Sequence, residues 1–129
     1  MVWSDLVILL ALVQFMFFSY LVGRARGLYG IVAPATSGHE MFERYYRVQM
    51  NTIEMMVMFV PAMYLCANYW SPIASAVLGV IYLVGRFIYL VSYVKEPSTR
   101  SLGYGMSAFP IVVLVVGALV GMVRSVAHF

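Results

Sequence analysis

Four apolar stretches of about twenty residues each, at 3–22, 48–70, 72–94 and 104–123, constrain this chain more than any other feature of it. A bilayer's hydrocarbon core is about 30 Å thick and takes roughly 20 helical residues to cross. Helix is the form such a stretch adopts in lipid, because the backbone must satisfy its own hydrogen bonds there. Composition agrees. Of 129 residues 64% are hydrophobic and 10% charged, more apolar surface than a soluble domain can keep from water. The expected fold is an all-α membrane protein, one domain spanning 1–129. Its four transmembrane helices are expected at about 3–22, 44–70, 72–94 and 101–123.

The first stretch is read as a retained membrane helix. Its flank, "MVWSDL", carries Asp5 and no basic residue, which is the wrong start for a secretory signal. The basic residues set a topology. Arg24, Arg26, Arg44 and Arg47 follow the first helix, and Lys95 and Arg100 follow the third. The N-terminus and the "NYWSP" turn have none, and the C-terminal tail has only Arg124 and His128. By the positive-inside rule the two basic connections face the cytoplasm and both termini lie outside, with Trp3 and Trp70 at the outer interface. A net charge of +3 is then topology rather than nucleic-acid binding, since no basic, aromatic-interleaved stretch lies outside the membrane. Cys66 is the only cysteine, and His39 and His128 are far apart, so no disulfide or metal site is expected.

The connection "GRARGLYGIVAPATSGHE" is too rich in Gly, Ala and Ser to be helical throughout, and Ser37 with Glu40 has capping-box spacing for the second helix. Gly117 and Gly121 form a G-x-x-x-G that reads as close packing. Pro61 and Pro110 are expected to kink their helices. The cluster Met50, Met55, Met56 and Met58 reads as core filling or lipid contact rather than a substrate groove.

Chemistry concentrates in "FERYYRVQMNTIE" and in the third helix. Arg47, Asn51 and Glu54 are spaced 4 and 3 apart, so they share a helix face that Glu40 and Glu43 extend outward. Tyr82, Arg86, Tyr89 and Tyr93 form a second such stripe. A charge near the middle of a membrane helix costs roughly 2.5–3.5 kcal/mol on insertion scales, so it faces a partner or a wet cavity. One alternative is structural, with Glu54 paired to Arg86 and the tyrosines as interfacial anchors. Arg24, Arg26 and Arg100 taken singly also read as topology determinants. The other is a ligand site. Arginines take carboxylates in bidentate geometry, Glu54 suits an ammonium, and Asn51 and tyrosine hydroxyls suit peptide groups. That set fits a small zwitterionic, carboxylate-rich molecule, with an apolar second substrate arriving from lipid.

"FERYYRVQMNTIE" followed by "YLVGRFIYLVSYVKEPSTRSLGY" resembles the MAPEG family, the membrane-associated proteins in eicosanoid and glutathione metabolism. The resemblance implies a four-helix membrane bundle assembled as a homotrimer, with glutathione bound between neighbouring subunits near the cytoplasmic face. It implies that Arg47, Asn51 and Glu54 bind the tripeptide with Gln49 close by, together with Arg86, Tyr89 and Tyr93, and that Arg26 reaches the ligand from the end of the first helix. It places Arg100 beside the thiol, as the residue favouring the thiolate. Glutathione is then the co-substrate and no metal is needed.

Two departures point away from a leukotriene-forming member and toward a broader, detoxifying transferase or peroxidase. Arg26 is followed by Gly27 where some relatives have a second arginine, and Met55 stands where leukotriene-forming members have an aromatic. Two other function classes remain in view. One is a non-catalytic lipid-binding scaffold of the lipoxygenase-activating type, whose motif lacks the charged core kept here in Arg47 and Glu54. The other is a small transporter using Glu54 for proton coupling.

Overall fold

The computed structural model describes residues 1–127; His128, weighed above as a metal ligand, lies outside them. The described chain is helical: α1 Val2–Tyr29, α2 Glu40–Tyr69, α3 Pro72–Lys95, a single 3-10 turn Pro97–Thr99, and α4 Ser101–Ala127. All four long helices are long and apolar enough to cross a membrane. Leu9, Val57, Ile73 and Phe109 point outward and are well exposed, which is the surface of a chain whose solvent is lipid.

α1 continues past the apolar stretch to Tyr29, so Arg24 and Arg26 sit on helix rather than loop. It stops at Gly30, whose φ of 68° lies in the left-handed region that glycine adopts without a Cβ penalty. Arg26 in the last turn suits the negative end of the helix dipole. The connection is therefore shorter than the sequence suggested, running from 30 to 39.

The start of α2 differs from the expected capping box. His39 is the cap, its Nδ1 accepting from the Met41 N–H at 3.1 Å. The His39 ring is stacked on Tyr29 at 4.0 Å between centroids, so the end of α1 fixes where α2 begins. Glu40 turns instead to Arg44 one helical turn on, with which it forms a salt bridge. At α3 the Ser71 hydroxyl caps by accepting from the Ala74 N–H at 3.1 Å, and Pro72 occupies the first turn, where its missing N–H costs nothing. α2 and α4 run through Pro61 and Pro110 as single helices.

Glycines and stacked rings bring the helices together. Phe59 of α2 lies flat on Tyr82 of α3, 3.8 Å between centroids, inside a core that includes Val7, Ala11, Met63 and Leu114. Gly85 of α3 meets α4 so closely that a Cβ there would lie 2.8 Å from the backbone of Met106, and one at Gly103 would lie 2.6 Å from the Cα of Tyr89. Gly117 lies under the Trp70 ring and Gly121 against the Tyr69 backbone. The G-x-x-x-G thus seats the turn between α2 and α3 onto α4 of the same chain.

The centre of the polar half is Arg86, fully buried at 0% exposure. Its Nε donates to Ser107 Oγ on α4 at 2.8 Å. One terminal nitrogen donates to Asn51 Oδ1 at 2.7 Å and Thr52 Oγ1 at 3.2 Å on α2. Its guanidinium carbon lies 4.5 Å from the centre of the Tyr89 ring. A single side chain on α3 ties three helices together. The structural Glu54–Arg86 pair does not form, since among the described residues the only salt bridge is Arg44–Glu40. Removing one acceptor should leave a charged donor unsatisfied in the core, at a cost of about 1–3 kcal/mol. Ser107→Ala is therefore expected to lower the thermal unfolding midpoint in detergent clearly below that of an exposed control, Ser98→Ala.

Candidate functional site

The start of α2 and the end of α3 lie at one end of the bundle, where one Arg44 nitrogen donates to the carbonyls of Val94 at 2.8 Å and Lys95 at 3.2 Å. At that end a cavity of about 560 Å³ opens among α2, α3 and α4, within the size range of small-molecule sites. α2 contributes Arg47, Asn51, Glu54, Met55 and Met58. α3 contributes Tyr89 and Tyr93, and the chain around the start of α4 contributes Arg100 and Tyr104.

Each group has a local reason for its place. Helical spacing stacks Arg47, Asn51, Glu54 and Met58 along one stripe of α2. The rings of Tyr89 and Tyr93 stack one turn apart, 5.5 Å between centroids. Asn51 is oriented from behind, because its carbonyl oxygen accepts from Arg86 and its amide nitrogen is left as the donor for the cavity. Arg100 follows the 3-10 turn and donates to the Pro97 carbonyl at 3.1 Å, and its own carbonyl accepts the Tyr104 N–H at 3.0 Å. The absence of a side chain at Gly103 lets this corner press against Tyr89. The site therefore brings two guanidinium groups, one carboxylate and three phenols around one space, with the thioethers of Met55 and Met58 at its apolar side. Arg47 and Glu54 have no salt-bridge partner among the described residues, so their charges are free for a ligand.

Three residues named from the sequence lie elsewhere. Arg86 is behind the cavity and acts on it through Asn51. Gln49 is two residues from Arg47, about 200° around the helix at about 100° per residue. It faces α1, where its amide nitrogen donates to Ser19 Oγ at 3.0 Å. Arg26 donates to the Ala35 carbonyl at 2.7 Å and lies over the Phe42 ring, 4.9 Å from its centre. Arg26 on α1 and Gln49 on α2 thus sit where these two helices pack together, and neither lines the cavity.

Three cavity residues were missed. From the sequence Met55 and Met58 read as core or lipid contact, and Tyr104 only as the start of an apolar stretch. The spacing contains a signal for all three, because Met55 is four residues beyond Asn51, Met58 four beyond Glu54 and Tyr104 four beyond Arg100. A larger cavity of about 670 Å³ lies at the other end of the bundle, between Trp70 and α4. It is lined almost wholly by apolar groups, with Arg124 its one charged residue. Among the described residues no group of three or more His, Cys, Asp and Glu gathers to hold a metal.

The fold and cavity define a class, a multi-pass integral membrane protein with a cationic and phenolic pocket at one end of a four-helix bundle. The profile of the MAPEG family matches residues 6–120. The chain is 38% identical over 122 residues to a Synechocystis protein that is itself uncharacterised, covering 95% of this chain and 89% of that one. It is 29% identical to human microsomal glutathione S-transferase 2, over 91% of this chain and 80% of the relative. With guinea-pig (Cavia porcellus) leukotriene C4 synthase it shares 32% identity, over 88% of this chain and 73% of the relative. The chain belongs to the MAPEG family.

The close approach at Gly103 yields a test of the site's geometry. Gly103→Val should push the start of α4 off Tyr89 and separate Arg100 and Tyr104 from the α2 stripe. Helix content by circular dichroism is expected to stay near wild type while the thermal unfolding midpoint in detergent falls, overpacking of this kind costing about 1–3 kcal/mol.

Proposed function

We propose that the protein is a membrane-bound glutathione transferase that binds glutathione as thiolate and directs it at lipophilic electrophiles drawn from the bilayer. One observation carries this reading. The cavity gathers Arg47, Asn51, Glu54, Tyr89, Tyr93 and Arg100, six of the residues that the family motif assigns to glutathione, around a space suited to a small ligand. Glutathione offers two carboxylates, one ammonium, two peptide groups and a thiol. Arg47 takes a carboxylate, Glu54 takes the ammonium, and Asn51 with the tyrosines takes peptide groups. Arg100 then stands by the sulfur.

Arg100 acts electrostatically. A free thiol titrates near 8.5, so little nucleophile is present at neutral pH. A guanidinium stays charged and favours the thiolate without accepting its proton. Two unit charges about 4 Å apart gain about 1 kcal/mol in water and about 4 at an effective dielectric of 20. At 1.36 kcal/mol per unit, that is a fall of roughly one to three units in the thiol's pKa. The proton leaves to solvent when glutathione binds. The thiolate then attacks the electrophile held against Met55 and Met58, and the same nucleophile suits reduction of a lipid hydroperoxide.

The positions of Arg26 and Gln49 support a homotrimer. They lie where α1 packs on α2 and do not line this chain's own cavity. A site built between neighbouring subunits needs this arrangement, one face supplying Arg47 to Arg100 and the adjoining subunit supplying Arg26 and Gln49. In the bilayer the basic end faces the cytoplasm and both termini lie outside, a reading supported by the distribution of arginines.

Titration of the detergent-purified protein with glutathione, followed in the ultraviolet where thiolate absorbs, is the test. Saturable binding with a thiolate signal at neutral pH is expected. Arg100→Ala should retain binding while losing most of the signal and about 10–100-fold in kcat. Binding without thiolate in the wild type would instead support a scaffold, and no binding would leave Glu54 to transport.

A further inference from the structure

We propose that Tyr104 is the proton donor to the oxygen atom released when the thiolate attacks an electrophile whose reacting bond is carbon–oxygen, such as an epoxide. The inference rests on the transferase reading above and adds to it a second catalytic group.

Placement carries the argument. Tyr104 follows Arg100 by one helical turn, and residues so spaced have Cβ atoms about 5–6 Å apart on one face. Both line the cavity. Tyr104 is 47% exposed, open to a ligand in the cavity it lines. The other two phenols of the cavity are placed differently, since Tyr89 is buried beneath the Arg86 guanidinium and stacked on Tyr93. Gly103 lets α4 approach α3 and so holds Tyr104 at the cavity wall. Met58, 50% exposed, gives the same wall an apolar side for the electrophile.

A thiolate held by Arg100 and a phenol one turn away bracket a reacting bond from its two ends. When the sulfur attacks an epoxide carbon, the S–C bond forms and the C–O bond breaks with its electron pair on oxygen. The resulting alkoxide is far more basic than a phenolate and takes the Tyr104 proton. Water then reprotonates the phenolate. The thiol proton released to solvent on binding and the proton taken back from water balance, and the product is a β-hydroxy thioether. An aryl chloride differs, because chloride departs without a proton and has no use for the phenol.

The experiment compares wild type with Tyr104→Phe at saturating glutathione, using styrene oxide and 1-chloro-2,4-dinitrobenzene as electrophiles and recording thiolate absorbance in each protein. The ratio of epoxide to chloroarene kcat is expected to fall about 10²-fold in the variant, the lower range for loss of a general acid, with the thiolate signal retained. A ratio within about twofold of wild type would overturn the inference. So would loss of the thiolate signal, which would assign Tyr104 to the sulfur instead. Wild-type turnover of the chloroarene alone would overturn the inference and leave the transferase reading standing. Turnover of neither electrophile would overturn both.

Discussion

Arg86 is the interaction on which the rest of this structure depends. A fully buried guanidinium in a helix made to cross lipid is costly, and no carboxylate compensates it. Neutral acceptors on two other helices take two of its three nitrogens, Asn51 and Thr52 on α2 and Ser107 on α4, and the third nitrogen is buried without a partner among the described residues. Thr52 and Ser107 also donate to carbonyls of their own helices, at Val48 and Gly103, so their oxygens are oriented to accept from Arg86. The arrangement fixes the register of three helices at the depth where the cavity begins. It also leaves Glu54 outside any salt bridge among the described residues.

The consequence reaches the site through Asn51. Once its carbonyl is committed to Arg86, its amide faces the cavity as a donor, and the stripe from Arg47 to Met58 is aligned with it. Tyr89, under the same guanidinium, is held between Arg86 and Tyr93, and Gly103 brings Arg100 and Tyr104 against it. A charge that neither pairs with another nor meets lipid therefore organises a set of groups that remain unpaired. In the proposed reading those free charges are what glutathione satisfies. The interior lock and the outer ligand site are two halves of one polar network through the bundle.

Much of this was legible in the sequence. Apolar stretches of membrane length gave the number of helices, because lipid leaves the backbone few alternatives. The 4 and 3 spacing of Arg47, Asn51 and Glu54 placed them on one face, and the structure puts them in one cavity. The same geometry, applied to Gln49, would have put it on the far side of α2. The motif grouped it with residues from which the helix separates it. Arg86 looked like a ligand residue or a partner for Glu54 because residue type reports charge but not depth. Only the packed bundle shows that Ser107, twenty-one residues on, supplies an acceptor. Capping was misplaced for a similar reason. Ser37 and Glu40 have the right spacing, but stacking of His39 on Tyr29, a tertiary contact, decides where α2 starts.

The central claim is that the free groups around this cavity bind glutathione with its sulfur against Arg100. The most direct measurement is an experimental density map of the protein in a bilayer mimetic with glutathione bound. The account predicts the tripeptide between Arg47 and Arg100, its ammonium on Glu54 and its sulfur in contact with the Arg100 guanidinium, with Arg26 and Gln49 of an adjoining subunit closing the other side. Density for glutathione elsewhere, or a sulfur directed away from Arg100, would contradict it.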